Sequence, residues 1–203
     1  MLNRHLAVGL HLPKTTDHMK LNLFIVLSIL LCGCSSRREV IEKYTDGSPK
    51  KVIDHIDQNK YYIRELYPDG KLEKEKFFKN GLQDSIESYY NKEGRKMAEM
   101  TFRNGSRNGI THEFYRNGQI AFEGSCENGK FEGLSTWYYR NGKIQTKSYR
   151  HLSADTSSQD FDTTGVLIRA FEHKNEKLVY YNGLGTEISA EEWEKIPFTD
   201  QPR

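Results

Sequence analysis

Six glycines set one period along the chain. Gly47, Gly70, Gly94, Gly118, Gly142 and Gly165 are separated by 23, 24, 24, 24 and 23 residues. A fixed spacing of this length marks a repeat protein, in which each unit is one supersecondary element buried against its neighbours. The residues ahead of each glycine say which element. Thr136-Trp137-Tyr138-Tyr139-Arg140-Asn141-Gly142-Lys143 is an aromatic run closed by Asn-Gly, and Glu113-Phe114-Tyr115-Arg116-Asn117-Gly118-Gln119 repeats it one period earlier. Looser copies are Ser88-Tyr89-Tyr90-Asn91-Lys92-Glu93-Gly94-Arg95 and Glu65-Leu66-Tyr67-Pro68-Asp69-Gly70-Lys71. Asn-Gly after such a run is the strongest short-range signal for a tight β-hairpin.

A second turn falls 11 residues past most anchor glycines, at Gly81, Gly105 and Gly129. The same offset reaches Ser153 after Gly142, and Lys174-Asn175-Glu176-Lys177 after Gly165, so the period outlasts the consensus. Gly109 and Gly133 add a further glycine four residues on in two units. Each unit therefore reads as strand, turn, strand, turn. Alternation agrees: Ala98, Met100 and Phe102 share one parity, and Glu99, Thr101 and Arg103 the other. The expected fold is all-β, an elongated single-layer twisted antiparallel meander of hairpin repeats over residues 43–188. The aromatic doublets imply two cross-repeat stacks. One would hold Leu66, Tyr89, Phe114 and Tyr138, the other Tyr67, Tyr90, Tyr115, Tyr139 and Phe161. Ser189 with Glu192 three residues on makes a capping box. It opens a short helix with Trp193 and Ile196, stopped by Pro197, in the C-terminal segment 189–203. This helix is expected to cover the edge of the array.

Residues 1–33 read as a targeting segment and stand outside the fold argument. Residues 21–31 form an apolar run of about eleven residues, too short for a bilayer-spanning helix, which needs ~20. Leu31-Cys32-Gly33-Cys34 resembles a bacterial lipobox, which implies cleavage before Cys34, diacylation of that cysteine and a membrane partner through the lipid. Met19-Lys20 offers an alternative start with a short basic leader. Residues 34–42 are expected to form a polar tether. Removing Arg4, Lys14, Lys20 and Asp17 from totals of 30 basic and 28 acidic residues leaves 27 of each. No basic footprint for nucleic acid remains. Cys126, left alone after Cys32 and Cys34, reads as a small apolar core residue.

No catalytic, metal or cofactor pattern emerges. His55, His112, His151 and His173 have no ligand spacing, and the glycines sit in hairpin turns rather than in a phosphate loop. The feature with a binding reading is the aromatic stripe Tyr67, Tyr90, Tyr115, Trp137 and Tyr139. It suits a protein strand or a sugar ring if one stacked set is exposed. The alternative is that a thin sheet uses aromatics on both faces for its own stability. Gly70, Gly94, Gly118, Gly142 and Gly165 are assigned to the turns.

Tyr-Tyr-x-Asn-Gly-Lys/Gln, followed by Phe-x-x-Gly and a second Asn-Gly, resembles the MORN-variant repeat, and most closely the bacterial proteins described as YwqK-type antitoxin components. The best-matching stretch is 66–143, with degenerate copies over most of 44–183. The resemblance implies a twisted repeat sheet serving as a protein- or membrane-interaction module. The antitoxin label implies a partner toxin, whereas an exported lipoprotein implies a scaffold in the cell envelope. A protein partner is therefore expected, with a carbohydrate or peptidoglycan ligand as the alternative.

Overall fold

The structure, a computed structural model, describes residues 37–198; the leader and Cys34 lie outside the described residues. Fifteen strands form one antiparallel sheet. They are β1 (Arg37–Lys43), β2 (Pro49–His55), β3 (Lys60–Leu66), β4 (Leu72–Lys79), β5 (Leu82–Gln83), β6 (Ser85–Tyr90), β7 (Lys96–Arg103), β8 (Ser106–Phe114), β9 (Ile120–Glu127), β10 (Lys130–Tyr138), β11 (Ile144–His151), β12 (Ala154–Phe161), β13 (Leu167–Lys174), β14 (Lys177–Asn182) and β15 (Glu187–Ile188), followed by a short helix α1 (Ala190–Glu194). Strand order follows the sequence, except that β5 pairs only with β4. The expected open meander is what the chain builds.

The two rims of the sheet use different turns. On the anchor rim, the Tyr139 N–H donates to the Lys143 carbonyl at 2.8 Å and the Gly142 N–H to the Tyr139 carbonyl at 2.9 Å. The same pair of bonds recurs at 67–71, 91–95, 115–119 and 162–166. In each, only the glycine is left-handed, with φ between +79° (Gly94) and +92° (Gly165). This is a three-residue loop, a type I turn closed by a glycine bulge. The tight two-residue turn lies on the opposite rim, where Asn104 (φ 49°) and Gly105 (φ 82°) are both left-handed, as are Asn128 and Gly129. Asn-Gly therefore makes two different turns in one protein.

The tight rim tolerates lost consensus. Leu152 (φ 50°) with Ser153 (φ 73°), and Asn175 with Glu176, adopt the same conformation without glycine. Each such residue costs roughly 1–2 kcal/mol. At 152–153 a tie to the preceding hairpin offsets this: the Ser153 N–H donates to the Phe131 carbonyl at 2.9 Å, and the Phe131 N–H donates back to Ser153 Oγ at 3.0 Å. Gly105 and Gly129 tie back to the Gln83 and Arg107 carbonyls by the same backbone bond. The additional glycines are bulges. Gly109 (φ 122°) and Gly133 (φ 77°) match Ser85 (φ 79°) one period earlier, and the register shifts between Met100/Phe102 and between Phe131/Ser135 beside them.

Two expectations need correction. The tether assigned to 34–42 is largely strand: β1 pairs with β2, and Arg38 clasps Asp54 through two bonds of 2.6 and 2.8 Å. Its charged, exposed sequence disguised it as linker, yet charge is how an edge strand resists further pairing. The last anchor turn is centred on Gly185 (φ 78°), with the Asn182 N–H bonded to the Thr186 carbonyl. The final unit is shortened to 20 residues from Gly165 because β13 and β14 pair with no bulge. The helix has its capping box, but it lies on a face. Trp193 packs 6.1 Å from Phe171 and 5.5 Å from Tyr180, while the two-residue β15 forms the edge. Phe198, beyond the helix, lies 4.9 Å from the Arg169 guanidinium.

Candidate interaction surface

The anchor glycine defines position by count, and three residues before it stands the residue that opens each turn. These are Tyr44, Tyr67, Asn91, Tyr115, Tyr139 and Asp162. Tyr90 and Phe161 fall one place earlier, level with Leu66, Phe114 and Tyr138. The second expected stack, with Tyr90 and Phe161 beside Tyr67, Tyr115 and Tyr139, is therefore out of register by one residue at those two positions. Because side chains alternate, that slip changes the side on which a ring lies.

The opening tyrosines have one shared job. Tyr44 donates its phenol to the Leu66 carbonyl at 2.7 Å, Tyr67 to the Tyr90 carbonyl at 2.8 Å, and Tyr139 to the Phe161 carbonyl at 2.7 Å. Tyr115 donates likewise to the Tyr138 carbonyl. Each acceptor is the residue just ahead of the next turn, so each phenol fastens one repeat to the next. Tyr115 (5 % exposed) and Tyr139 (1 %) are buried. They present no open ring face, and the stripe is not a continuous exposed surface. Asn91 and Asp162 instead bind their own turns: Asn91 Oδ1 accepts from the Glu93 and Arg95 N–H groups, and Asp162 Oδ1 from Thr164 and Val166.

Trp137 belongs to a different group. Its partner across the strands is Phe122, 4.9 Å away between ring centres, and Phe122 meets Phe131 edge-on at 5.4 Å. The Arg150 guanidinium sits 5.2 Å from both Phe131 and Trp137, and Arg107 lies 4.6 Å from Phe131. Gly124 is required beneath them. A Cβ there would stand 2.6 Å from the Phe122 ring and 3.0 Å from Phe131. Phe122 and Cys126 are buried, the thiol as a core residue against Thr111 Oγ1 at 3.9 Å, whereas Phe131 and Trp137 are half-open. Aromatic rings stacked with arginine in this way recur at protein interfaces. Sequence reading found Trp137 but missed its partners, because Phe122 and Phe131 read as ordinary strand residues and only the registers bring them together.

On the same face, Glu87 is buried beneath Lys74 (3.2 Å) and Lys76 (3.7 Å), with Gln83 Nε2 at 2.6 Å. Burial alone would raise its carboxyl, but hydrogen bonds from Tyr89, Gln83 and Lys74 outweigh that and hold it below its ordinary value. The opposite face carries a polar row. Arg64, Glu75, Ser88, Glu99, His112, Glu123, Thr136 and Lys147 stand directly opposite one another strand by strand. His112 bridges Glu99 at 3.0 Å and Glu123 at 2.8 Å. Burial pushes the Glu99 carboxyl up, yet bonds to Lys96 and His112 bring it below the usual range. Arg38, ahead of Arg64, lowers Asp54 by the same kind of bond. These pairs organise the face. Among the described residues no group of three or more His, Cys, Asp or Glu is placed to hold a metal ion, and no helix is long and apolar enough to cross a membrane.

Two stretches, 63–80 and 131–150, match the sequence model of the MORN repeat variant. They fall on β3–β4 and β10–β11, each spanning an anchor turn. The chain therefore carries MORN-variant repeats at these two units. No curated protein matches it. Among solved structures, a mutant of S. aureus TarM in complex with fondaparinux, alpha-GlcNAc-glycerol and UDP overlays at 13 % identity and TM-score 0.35, covering 50 % of this chain and 20 % of that one. The GtfA/B complex overlays at 16 % identity and TM-score 0.36 over 61 % and 23 % of the two chains. The pneumococcal O-GlcNAc transferase GtfA with UDP and GlcNAc overlays at 16 % identity and 0.35, over 58 % and 22 %. The chain spans about a fifth of the length of these structures, and overlays this loose carry no argument about its fold or activity.

Proposed function

We propose that this chain is a lipid-anchored envelope protein whose MORN-variant sheet is a non-catalytic scaffold for a protein partner. The observation that carries the scaffold reading is the half-open Phe131–Trp137 cluster capped by Arg107 and Arg150, on a sheet face whose β13–β14 end is covered by the C-terminal segment. Binding hot spots are enriched in Trp, Tyr and Arg side chains. The lipobox-like Leu31-Cys32-Gly33-Cys34 supplies the anchoring half of the reading. Two experiments test the two halves separately. Metabolic labelling with an alkyne fatty acid should mark the wild type and not Cys34→Ala, and equal labelling of both would remove the anchor. Site-specific photo-crosslinking from position 137 in intact cells should give one discrete adduct, and the absence of any adduct would remove the scaffold.

The repeat match supports a scaffold and is silent on a toxin partner. A sugar-binding tyrosine stripe has no geometric support, since Tyr115 and Tyr139 are turned into the fold.

A further inference from the structure

Two anchor turns, opening at Asn91 and Asp162, lack the tyrosine that fastens their neighbours, and the first of them lies inside the array. At position 91 the anchor turn opens with Asn, whose short side chain is spent on the Glu93 and Arg95 N–H groups of its own turn. No phenol from this turn crosses to the Phe114 carbonyl, the equivalent of the Leu66, Tyr90, Tyr138 and Phe161 carbonyls that receive one elsewhere. Between the turns at 91–95 and 115–119 the surface opens instead into a cleft of about 660 Å³, floored by Met97, Ala98, Phe114 and Ala121. Counting one period back from the surroundings of Tyr115 gives the same place. Arg140 lies 5.4 Å from the Tyr115 ring, and its counterpart Arg116 lines this cleft.

We infer that this cleft receives a tyrosine ring from a partner polypeptide, carried in acidic sequence. The inference rests on the scaffold reading and specifies what the scaffold takes. The ring follows from the internal copies, which show a phenol seated between consecutive turns with its hydroxyl on the carbonyl ahead of the second. The acidic flank follows from the rim, where Arg95, Lys96, Arg116 and Arg140 face Glu93 and Glu113. Arg116 and Arg95 reach Glu93 only at 3.5 and 3.9 Å on the exposed surface, so those pairs are weak and exchangeable. Lys96 is held by Glu99 at 2.7 Å and contributes its field rather than a new bond.

The test is a titration of full-length protein with a five-residue peptide, a central tyrosine flanked on each side by one aspartate and one glutamate. The readout is the amide shifts of Arg95, Phe114 and Arg116. Saturable shifts are expected. Replacing the peptide's tyrosine with phenylalanine should weaken binding by about five-fold, the share of one neutral hydrogen bond. Replacing its acids with lysine should abolish it. Asn91→Tyr should fill the cleft from within, raise the unfolding midpoint and abolish the shifts, while Asn91→Ala should leave the cleft open and binding intact. No saturable shift, equal binding of the lysine peptide, or undiminished binding by a folded Asn91→Tyr would overturn the proposal. Self-association that Asn91→Tyr removes would assign the cleft to a second copy of this chain and overturn it as well. Loss of peptide binding with the position-137 adduct retained would sink this cleft alone and leave the scaffold standing.

Discussion

The two rims of the sheet solve one problem by different means. Both must fasten each hairpin to the next, because a sheet one layer thick has little core to do so. The tight-turn rim does it with backbone, through bonds such as that from Ser153 to the Phe131 carbonyl. The anchor rim does it with side chains, through phenols that span 22 or 23 residues of sequence. The difference explains where sequence is free to drift. Backbone ties survive almost any residue that tolerates a left-handed conformation, so that rim accepts Leu152 and Ser153. A phenol has no substitute, so a unit without one, at Asn91 or Asp162, turns its polar side chain back on its own loop.

The sharpest break in this comparison comes from truncation on the anchor rim. Tyr139→Ala should destabilise by about 3–5 kcal/mol, because it removes a buried ring together with its hydrogen bond. Urea unfolding measures it, and a loss near that of an exposed tyrosine would place the ring outside the core. On the tight rim the effect should be smaller and of opposite sign. Leu152 is 57 % exposed and left-handed, so Leu152→Asn should stabilise by about 1 kcal/mol, read as a raised unfolding midpoint.

The weakest contrast is between anchor turns closed by a carboxylate and those closed by an amide. Hydrogen bonds from the Thr164 hydroxyl and from backbone N–H groups hold the exposed Asp162 carboxyl below its ordinary value. Its folded pKa lies below its unfolded one. The contribution to the turn is thus complete above about pH 4 and fades as pH falls through the lower folded value. The Thr164 and Val166 amide shifts should titrate in that window, and those at the Asn141 turn should not.

Much of the fold was legible because glycine writes backbone conformation directly into sequence. The period of Gly70, Gly94, Gly118, Gly142 and Gly165 reports left-handed φ values that other residues resist, and the second glycine series likewise locates the tight rim. What was hidden lay in side-chain register and in polar strands. The Tyr89-Tyr90 doublet resembles Tyr138-Tyr139 to the eye, yet counting three back from Gly94 reaches Asn91, so the doublet stands one place out of step. β1 was hidden because an edge strand built from Arg, Glu and Lys has the composition of a linker. The Phe122–Phe131–Trp137 cluster depends on a bulge at Gly133 and on pairings that no single strand reveals.

The central claim is that tyrosines opening the anchor turns staple consecutive repeats, while the neighbouring ring at Tyr90 does not. The direct measurement is the unfolding free energy of Tyr67→Phe and Tyr139→Phe against Tyr90→Phe. Each of the first two should lose about 1 kcal/mol, the worth of one phenol-to-carbonyl bond, and Tyr90→Phe should stay within about 0.5 kcal/mol of wild type. A loss at Tyr90→Phe equal to the other two would contradict the register and the staple together.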